Sequence, residues 1–275
     1  MFRTTITIMS LVLLASCATT PQIAPAVRAD LAPTGKLRAG INYGNPLFAV
    51  RDPKTGEGSG IAVDLAREFG RRLGVPVELV GYNSGGQLTA GLKAGGWDVA
   101  FLAFEQGRTN EISFSAPFAE TDATYLVPAG SPLRTAADVD RKGVRIAVSA
   151  KGGNDLFLTR TLKNATLVRA PSPEATFKLF VADKLEAYAS LKPSLLAIAD
   201  KLPGSRLVEG RYTVIGYSAG VPRGRDAGAK YLGEFIEDAK ASGLVARSID
   251  KYGVRGLTVA PPAQGGSRVE IGGSM

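Results

Sequence analysis

The sequence almost lacks the two residue types, histidine and cysteine, on which many nucleophilic and zinc-dependent enzymes rely. It contains no histidine and one cysteine, Cys17. Ser-His-Asp and Cys-His nucleophilic sites are therefore excluded within it, and so are zinc sites built from cysteine and histidine. Catalysis by this chain would depend on carboxylates, lysine, tyrosine or serine. No intrachain disulfide can form, and no metal-ligand pattern is present.

The charge distribution is typical of a solvated surface. The 33 Lys and Arg residues outnumber the 25 Asp and Glu residues, which gives a formal net charge of +8. Basic residues are interleaved with acidic ones, and no basic tract with interspersed aromatic residues indicates a nucleic acid partner. A basic surface explains this balance, and an anionic ligand is the alternative explanation.

The N-terminal residues have the pattern of an export signal. Arg3 precedes a short apolar run at residues 6–15, which is too short to span a bilayer. The LASC sequence at residues 14–17 follows and resembles the lipobox of bacterial lipoproteins. It predicts a signal peptide at residues 1–16, lipidation of Cys17 and a flexible tether at residues 17–35. Ordinary signal-peptide cleavage after Ala18 is the alternative.

Strands and helices alternate from Lys36 onward. Apolar runs predict strands at residues 37–41, 77–80, 98–103, 144–149, 165–168 and 185–189. Helical spacing predicts helices near residues 61–73, 88–92, 154–162, 173–181, 193–202 and 226–252. This alternation predicts an α/β architecture with mainly parallel sheets. No phosphate-loop or dinucleotide fingerprint is present, so no cofactor is predicted.

Six stretches occur in an informative order: LRAGINYGNPLF (37–48), GIAVDLAREFGRRLGVPVELV (60–80), LKAGGWDVAF (92–101), GRTNEISFSAPF (107–118), GVRIAVSAKGGND (143–155) and KLEAYASLKPSLL (184–196). Together they resemble the family 3 extracellular solute-binding proteins, the amino-acid receptors of bacterial ABC importers. The resemblance runs from about residue 36 to residue 252.

The resemblance implies a type II periplasmic-binding-protein fold, with two α/β lobes joined by two hinge strands and a ligand in the cleft between them. Lobe 1 is expected at residues 36–126 and 217–257, and lobe 2 at residues 127–216. The crossovers are expected near residues 125–129 and 212–217. Residues 258–275 are predicted to form a disordered tail.

Arg108 is the ligand residue that the resemblance implies most directly. It lies six residues before Phe114 and matches the family arginine that binds the ligand carboxylate. A guanidinium suits this role because it presents paired donors to two oxygen atoms.

Other positions of the family's ligand site differ here. Phe101 and Ala103 stand where polar residues usually help to hold the ligand ammonium, and Asn45 replaces a stacking aromatic residue. Leu191, followed by Lys192, replaces the lobe 2 aspartate that neutralises the ammonium. The usual Gly-Thr pair falls on Lys151, Gly152 and Gly153, with Asn154 next, and Tyr43 is a further candidate for the cleft wall.

With the sequence aligned to the family in this way, the residues of the ligand site favour an anionic ligand. A buried ammonium without an acidic partner is costly to desolvate, and Lys151 or Lys192 adds positive charge. A carboxylate or dicarboxylate is therefore expected, bound partly by backbone N–H groups around Gly152 and Gly153. An alternative is a lobe 2 alignment shifted by one or two residues, in which Asp155, Asp183 or Glu186 serves an ammonium.

The implied function is capture of a small carboxylate-bearing solute for an ABC permease in the inner membrane. The protein is expected to be a monomer anchored to a membrane through Cys17, and it is not expected to be an enzyme. One alternative is a dehydratase acting on prephenate or arogenate, since some relatives have that activity and Glu105 or Glu186 supplies a carboxylate. A sensory receptor lipoprotein is the other alternative.

Overall fold

A computed structural model describes residues 23–150 and 153–263 of the chain. The predicted signal peptide, the lipidation site Cys17 and Gly152 lie outside the described residues. No helix within the described ranges is both long and apolar enough to cross a membrane.

Among the described residues, ten strands form one continuous sheet in the order β4-β1-β5-β11-β6-β9-β7-β8, and β10 and β12 also pair with β6. Strands β2 and β3 form a separate hairpin. The strands are β1 (Leu37–Asn42), β2 (Val50–Arg51), β3 (Gly58–Ser59), β4 (Val77–Tyr82), β5 (Val99–Ala103), β6 (Ile112–Val127), β7 (Arg145–Ser149), β8 (Thr166–Ala170), β9 (Ala187–Leu191), β10 (Arg206–Leu207), β11 (Thr213–Pro222) and β12 (Leu257–Val259).

The helices cover the faces of this sheet. They are α1 (Pro25–Leu31), α2 (Ile61–Leu73), α3 (Gly85–Lys93), α4 (Ala136–Val139), α5 (Gly153–Thr161), α6 (Pro173–Ala182), α7 (Lys192–Ala199), α8 (Asp226–Ala241) and α9 (Leu244–Lys251). A short 3-10 helix, Gln106–Arg108, follows β5.

Helix α2 begins and ends at glycines. Gly60 precedes it with a φ of 126°, and an ideal Cβ there would lie 2.4 Å from the carbonyl oxygen of Phe48. Only glycine fits this position, because an L-residue would be strained and would clash with the backbone. Gly74 ends the helix in the left-handed conformation. The helical spacing of buried residues between these glycines confirms the prediction for residues 61–73.

Two groups of core residues divide the sheet into two lobes. One surrounds the parallel strands β1, β4 and β5, and we call this part lobe 1. The other surrounds the parallel strands β7, β8 and β9, and we call this part lobe 2. The long strands β6 and β11 pair antiparallel and run through both lobes. The fold is therefore the two-lobed α/β arrangement that the sequence predicts.

The β6 crossover lies earlier than the predicted residues 125–129. Phe118 and Ala119 belong to the lobe 1 core, whereas Tyr125 already packs in the lobe 2 core. Residues 123–126 of β6 pair with β9 of lobe 2. In β11, Tyr212 packs against lobe 2 just before the strand, and Tyr217 lies in the lobe 1 core.

The predicted tether at residues 17–35 contains a folded helix, α1, and the expectation is wrong for that part. Leu31 is fully buried in the lobe 1 core. Asp30 accepts a hydrogen bond from the Gly228 N–H at 2.8 Å, and Arg225 donates to the Asp30 carbonyl at 2.6 Å. These contacts fix α1 to the first turn of α8.

The C-terminal region also differs from the prediction. Gly243, with a φ of 75°, separates α8 from α9 within the predicted helix at residues 226–252. Strand β12 then pairs antiparallel with residues 119–121 of β6, and Ala260 is buried. Residues 258–260 therefore belong to the fold and not to a disordered tail.

Candidate ligand-binding site

A pocket of about 220 Å³ opens at the carboxyl ends of β1 and β5. The described residues that line it belong to lobe 1; they are Asn42, Asn45, Phe48, Ala62, Gly85, Phe101, Leu102, Ala103, Glu105, Arg108 and Tyr217. The carboxyl ends of parallel strands meet at one edge of a sheet, which is where α/β proteins commonly bind ligands.

Arg108 lies at the end of the 3-10 helix that follows β5, with its side chain 17% exposed. Its Nη1 donates to the carbonyl oxygen of Ala103 at 3.2 Å, and its Nη2 lies 3.1 Å from Glu105 Oε2. An ideal Cβ on Gly85 would lie 3.2 Å from Arg108 Nη2, so glycine there lets the first turn of α3 approach the guanidinium. The arginine is held at the pocket wall by both its neighbours and its own turn.

The apolar wall of the pocket is an aromatic cluster. Phe48 packs on Tyr217 with ring centroids 4.1 Å apart and on Phe118 at 5.9 Å, and Phe101 packs on Phe118 at 6.1 Å. Burial raises the pKa of Tyr217, and a hydrogen bond with the Asn45 side chain partly offsets this. Tyr217 therefore remains a neutral phenol beside the pocket, with Asn45 in contact with its polar end.

Residues 37–255 match the sequence profile of the bacterial extracellular solute-binding proteins, family 3. The chain belongs to this family. A similar curated protein, the ABC transporter glutamine-binding protein GlnH of Bacillus subtilis (strain 168), is 22% identical over 229 residues, which cover 76% of this chain and 77% of that protein.

Solved structures share the fold of this family 3 protein. An amino acid ABC transporter substrate-binding protein from Streptococcus pneumoniae bound to L-arginine is 19% identical, with a TM-score of 0.61 over 86% of this chain and 99% of that one. An ancestral cyclohexadienyl dehydratase is 25% identical, with a TM-score of 0.54 over 79% of this chain and 92% of that one. These likenesses support the type II fold.

The structure brings four of the sequence-predicted site residues together. Arg108, Asn45, Phe101 and Ala103 all line the pocket. Tyr43 does not, because its ring lies 4.6 Å from the Arg51 guanidinium carbon and packs close to Gly58 and Gly81. Tyr43 was expected in the wall of the ligand cleft, but in the structure it packs outside the pocket.

The lobe 2 candidates do not line this pocket in the described conformation. Gly153 is exposed at the start of α5, and Asn154 Oδ1 accepts a hydrogen bond from the Tyr212 hydroxyl at 2.9 Å. Leu191 ends β9 and precedes α7. A family 3 ligand bound to Arg108 would reach these residues only if the two lobes approached each other.

Lys192 lies at a different place from the one expected. Its Nζ lies 3.7 Å from Asp122 Oδ2, and Arg211 Nη1 lies 3.0 Å from the other carboxylate oxygen of Asp122. These three residues line a separate concavity of about 360 Å³ beside β6 and β11, with Glu209. Lys192 therefore adds no positive charge to the Arg108 pocket.

Several residues that line the pocket were not predicted from the sequence. Tyr217 was expected only as part of a hinge, and Gly85 had no signal beyond its place before a helix. Asn42 was detectable in principle, because it ends a parallel strand next to the strand that ends at Ala103. Within the described parts of the chain, no group of three or more Cys, Asp or Glu side chains is arranged to hold a metal ion.

Proposed function

We propose that this chain is the binding component of an ABC importer for a small carboxylate-bearing solute, and that Arg108 binds the carboxylate. The observation that carries the proposal is the position of the guanidinium in the pocket wall. Its Nη1 is held by the Ala103 carbonyl and its Nη2 by Glu105, and the side chain remains 17% exposed. An arginine constrained in this way loses little side-chain freedom when it binds two oxygen atoms.

The size of the pocket supports a small ligand. At about 220 Å³ it is smaller than the pockets of drug-sized ligands, and its described lining comes from lobe 1. Lobe 2 would complete the site by closing about β6 and β11, the strands that join the lobes.

The same proposal places the protein at the cell envelope, in keeping with its extracellular solute-binding family. Cleavage before Cys17 and lipidation of its sulfur would anchor it to a membrane. Metabolic labelling with a radioactive fatty acid should label the wild type and not Cys17→Ser. Equal labelling of both proteins would exclude Cys17 as the anchor.

A dehydratase is the second candidate, because one structural neighbour is named as an ancestral cyclohexadienyl dehydratase and Glu105 places a carboxylate in the pocket. Glu186 is a poor candidate for the general acid. Hydrogen bonds from Arg145 lower its pKa despite the opposing effect of burial, and the two side chains lie 2.7 Å apart. Loss of prephenate absorbance on addition of purified protein would favour the enzyme.

The binding proposal is tested by calorimetry with a panel of amino acids, monocarboxylates, dicarboxylates and prephenate. Arg108→Ala should weaken binding of the best ligand by about 10- to 100-fold, since hydrogen bonds to charged groups contribute about 1.5–3 kcal/mol. Arg71→Ala is the matched control, because Arg71 is 72% exposed on α2 and pairs with Glu68. Arg71→Ala should bind as the wild type does. Equal affinity of Arg108→Ala and the wild type would exclude the proposed role of Arg108.

A further inference from the structure

We propose that Glu105 selects the charge of the ligand, admitting carboxylates that carry a cationic group next to the carboxylate and disfavouring purely anionic ones. This inference rests on the proposed function and makes its ligand class narrower. It also reverses the expectation of an anionic ligand, which depended on the missing lobe 2 aspartate and on positive charge from Lys151 or Lys192.

Glu105 and Arg108 lie on the same turn of the chain. Glu105 is the residue before the 3-10 helix and Arg108 is its last residue, and the Arg108 N–H donates to the Glu105 carbonyl oxygen at 3.0 Å. The side chains meet with Oε2 and Nη2 3.1 Å apart. The Glu105 side chain is 58% exposed and that of Arg108 is 17% exposed, so the acid lies at the rim and the base lies deeper.

The charges of Arg108 and Glu105 balance each other in the pocket. Among the described residues that line the pocket, Arg108 and Glu105 are the charged ones, so their formal charges sum to zero. A carboxylate that approaches Arg108 must compete with Glu105 for Nη2 and then lies close to a second carboxylate. A ligand with its own ammonium group avoids this cost, because the ammonium can pair with Glu105 while the carboxylate pairs with Arg108.

The other acids that the sequence offered for an ammonium are Asp155, Asp183 and Glu186. Asp155 lies 2.9 Å from Arg169, and Glu186 lies 2.7 Å from Arg145. None of Asp155, Asp183 and Glu186 lines the pocket. Glu105 is thus the acid that the described structure places beside Arg108.

The test compares Glu105→Gln with the wild type by calorimetry, using matched ligand pairs. The probes are L-glutamine with glutaramate, L-leucine with 4-methylpentanoate, and L-glutamate with glutarate. In each pair the second compound lacks the α-amino group. The wild type should prefer the amino member of the pair it binds best. Glu105→Gln should bind the amino compound of that pair about 10-fold more weakly and the compound without the α-amino group more tightly. The preference should therefore largely disappear.

Glu111→Gln is the matched control. Glu111 is 37% exposed, pairs with Lys93 at 3.1 Å and lies outside the pocket, so the preference should persist in this variant. If Glu105→Gln keeps the wild-type preference for the amino compound, the proposed role of Glu105 is wrong. It is also wrong if the wild type binds glutarate more tightly than L-glutamate. If binding in either case still depends on Arg108, the proposed function stands and only the inference fails. If no probe binds in an Arg108-dependent way, both fail.

Discussion

Asp98 is a fully buried carboxylate immediately before β5, and two arginines hold it. Arg38 donates to it from its backbone N–H at 3.1 Å and from Nε at 2.9 Å, and Arg225 Nη1 donates at 2.9 Å. Burial alone would raise the pKa of Asp98, but the hydrogen bonds from Arg38 and Arg225 outweigh burial and hold the pKa below its ordinary value. This carboxylate links β1, β5 and the start of α8 beneath the strand that leads to Arg108.

We predict that Asp98→Asn lowers the free energy of unfolding by about 3–5 kcal/mol at pH 7, because it leaves two arginines facing a neutral group. The folded-state pKa is depressed, so the stabilisation is fully present above the unfolded value of 3.8 and is lost as pH falls through the folded value. Urea denaturation at pH 7 and below pH 3.8 should therefore show a gap between wild type and variant that narrows in acid. A gap that is absent at pH 7, or constant across this range, would contradict this account of Asp98.

The resemblance to family 3 identified part of the site before the structure was known. The family pattern located Arg108, and the strand that ends at Ala103 brought Phe101 into the pocket with it. Lys192 was misplaced, because alignment along the chain gives its position at the start of α7 but not the direction of its side chain, which Asp122 determines. Tyr217 was missed because its contact with Phe48 joins residues far apart in the sequence.

Helix α1 shows how an element can be hidden by its composition. Its seven residues, PAVRADL, lie in a stretch rich in alanine and proline and make only about two helical turns, so the sequence resembles a linker. Its stability comes from tertiary contacts, because Leu31 is buried against lobe 1 and Asp30 binds the first turn of α8. Longer helices such as α2 were predicted well, since their buried residues repeat over several turns.

We predict that α1 contributes to the stability of lobe 1. Leu31→Ala should lower the free energy of unfolding by about 2–5 kcal/mol, the usual cost of removing a buried leucine side chain. Removal of all residues before Lys36 should cost at least as much. Thermal denaturation measures both changes, with Val50→Ala as the control because Val50 is 44% exposed. Unfolding curves that coincide for wild type and Leu31→Ala would show that α1 is not part of the stable fold.

At the scale of the whole molecule, two strands connect the lobes. Strands β6 and β11 cross between them, and β12 pairs with β6 close to the crossover. Ion pairs also lie there: Asp122 of β6 contacts Lys192 and Arg211, and Arg255, just before β12, pairs with Asp200 at the end of α7. In the described arrangement of the lobes, the residues that line the pocket come from lobe 1. Ligand binding is expected to shift this arrangement towards a closed one.

A crystal structure of the protein with its tightest-binding carboxylate tests the central claim most directly. The account predicts a ligand between closed lobes, with both carboxylate oxygens about 2.7–2.9 Å from the Arg108 guanidinium. Lobe 2 residues at the start of α5, including Gly153 or Asn154, should contact its other side. A ligand whose carboxylate lies away from Arg108, or one bound outside the pocket formed by β1, β5 and Tyr217, would contradict the account.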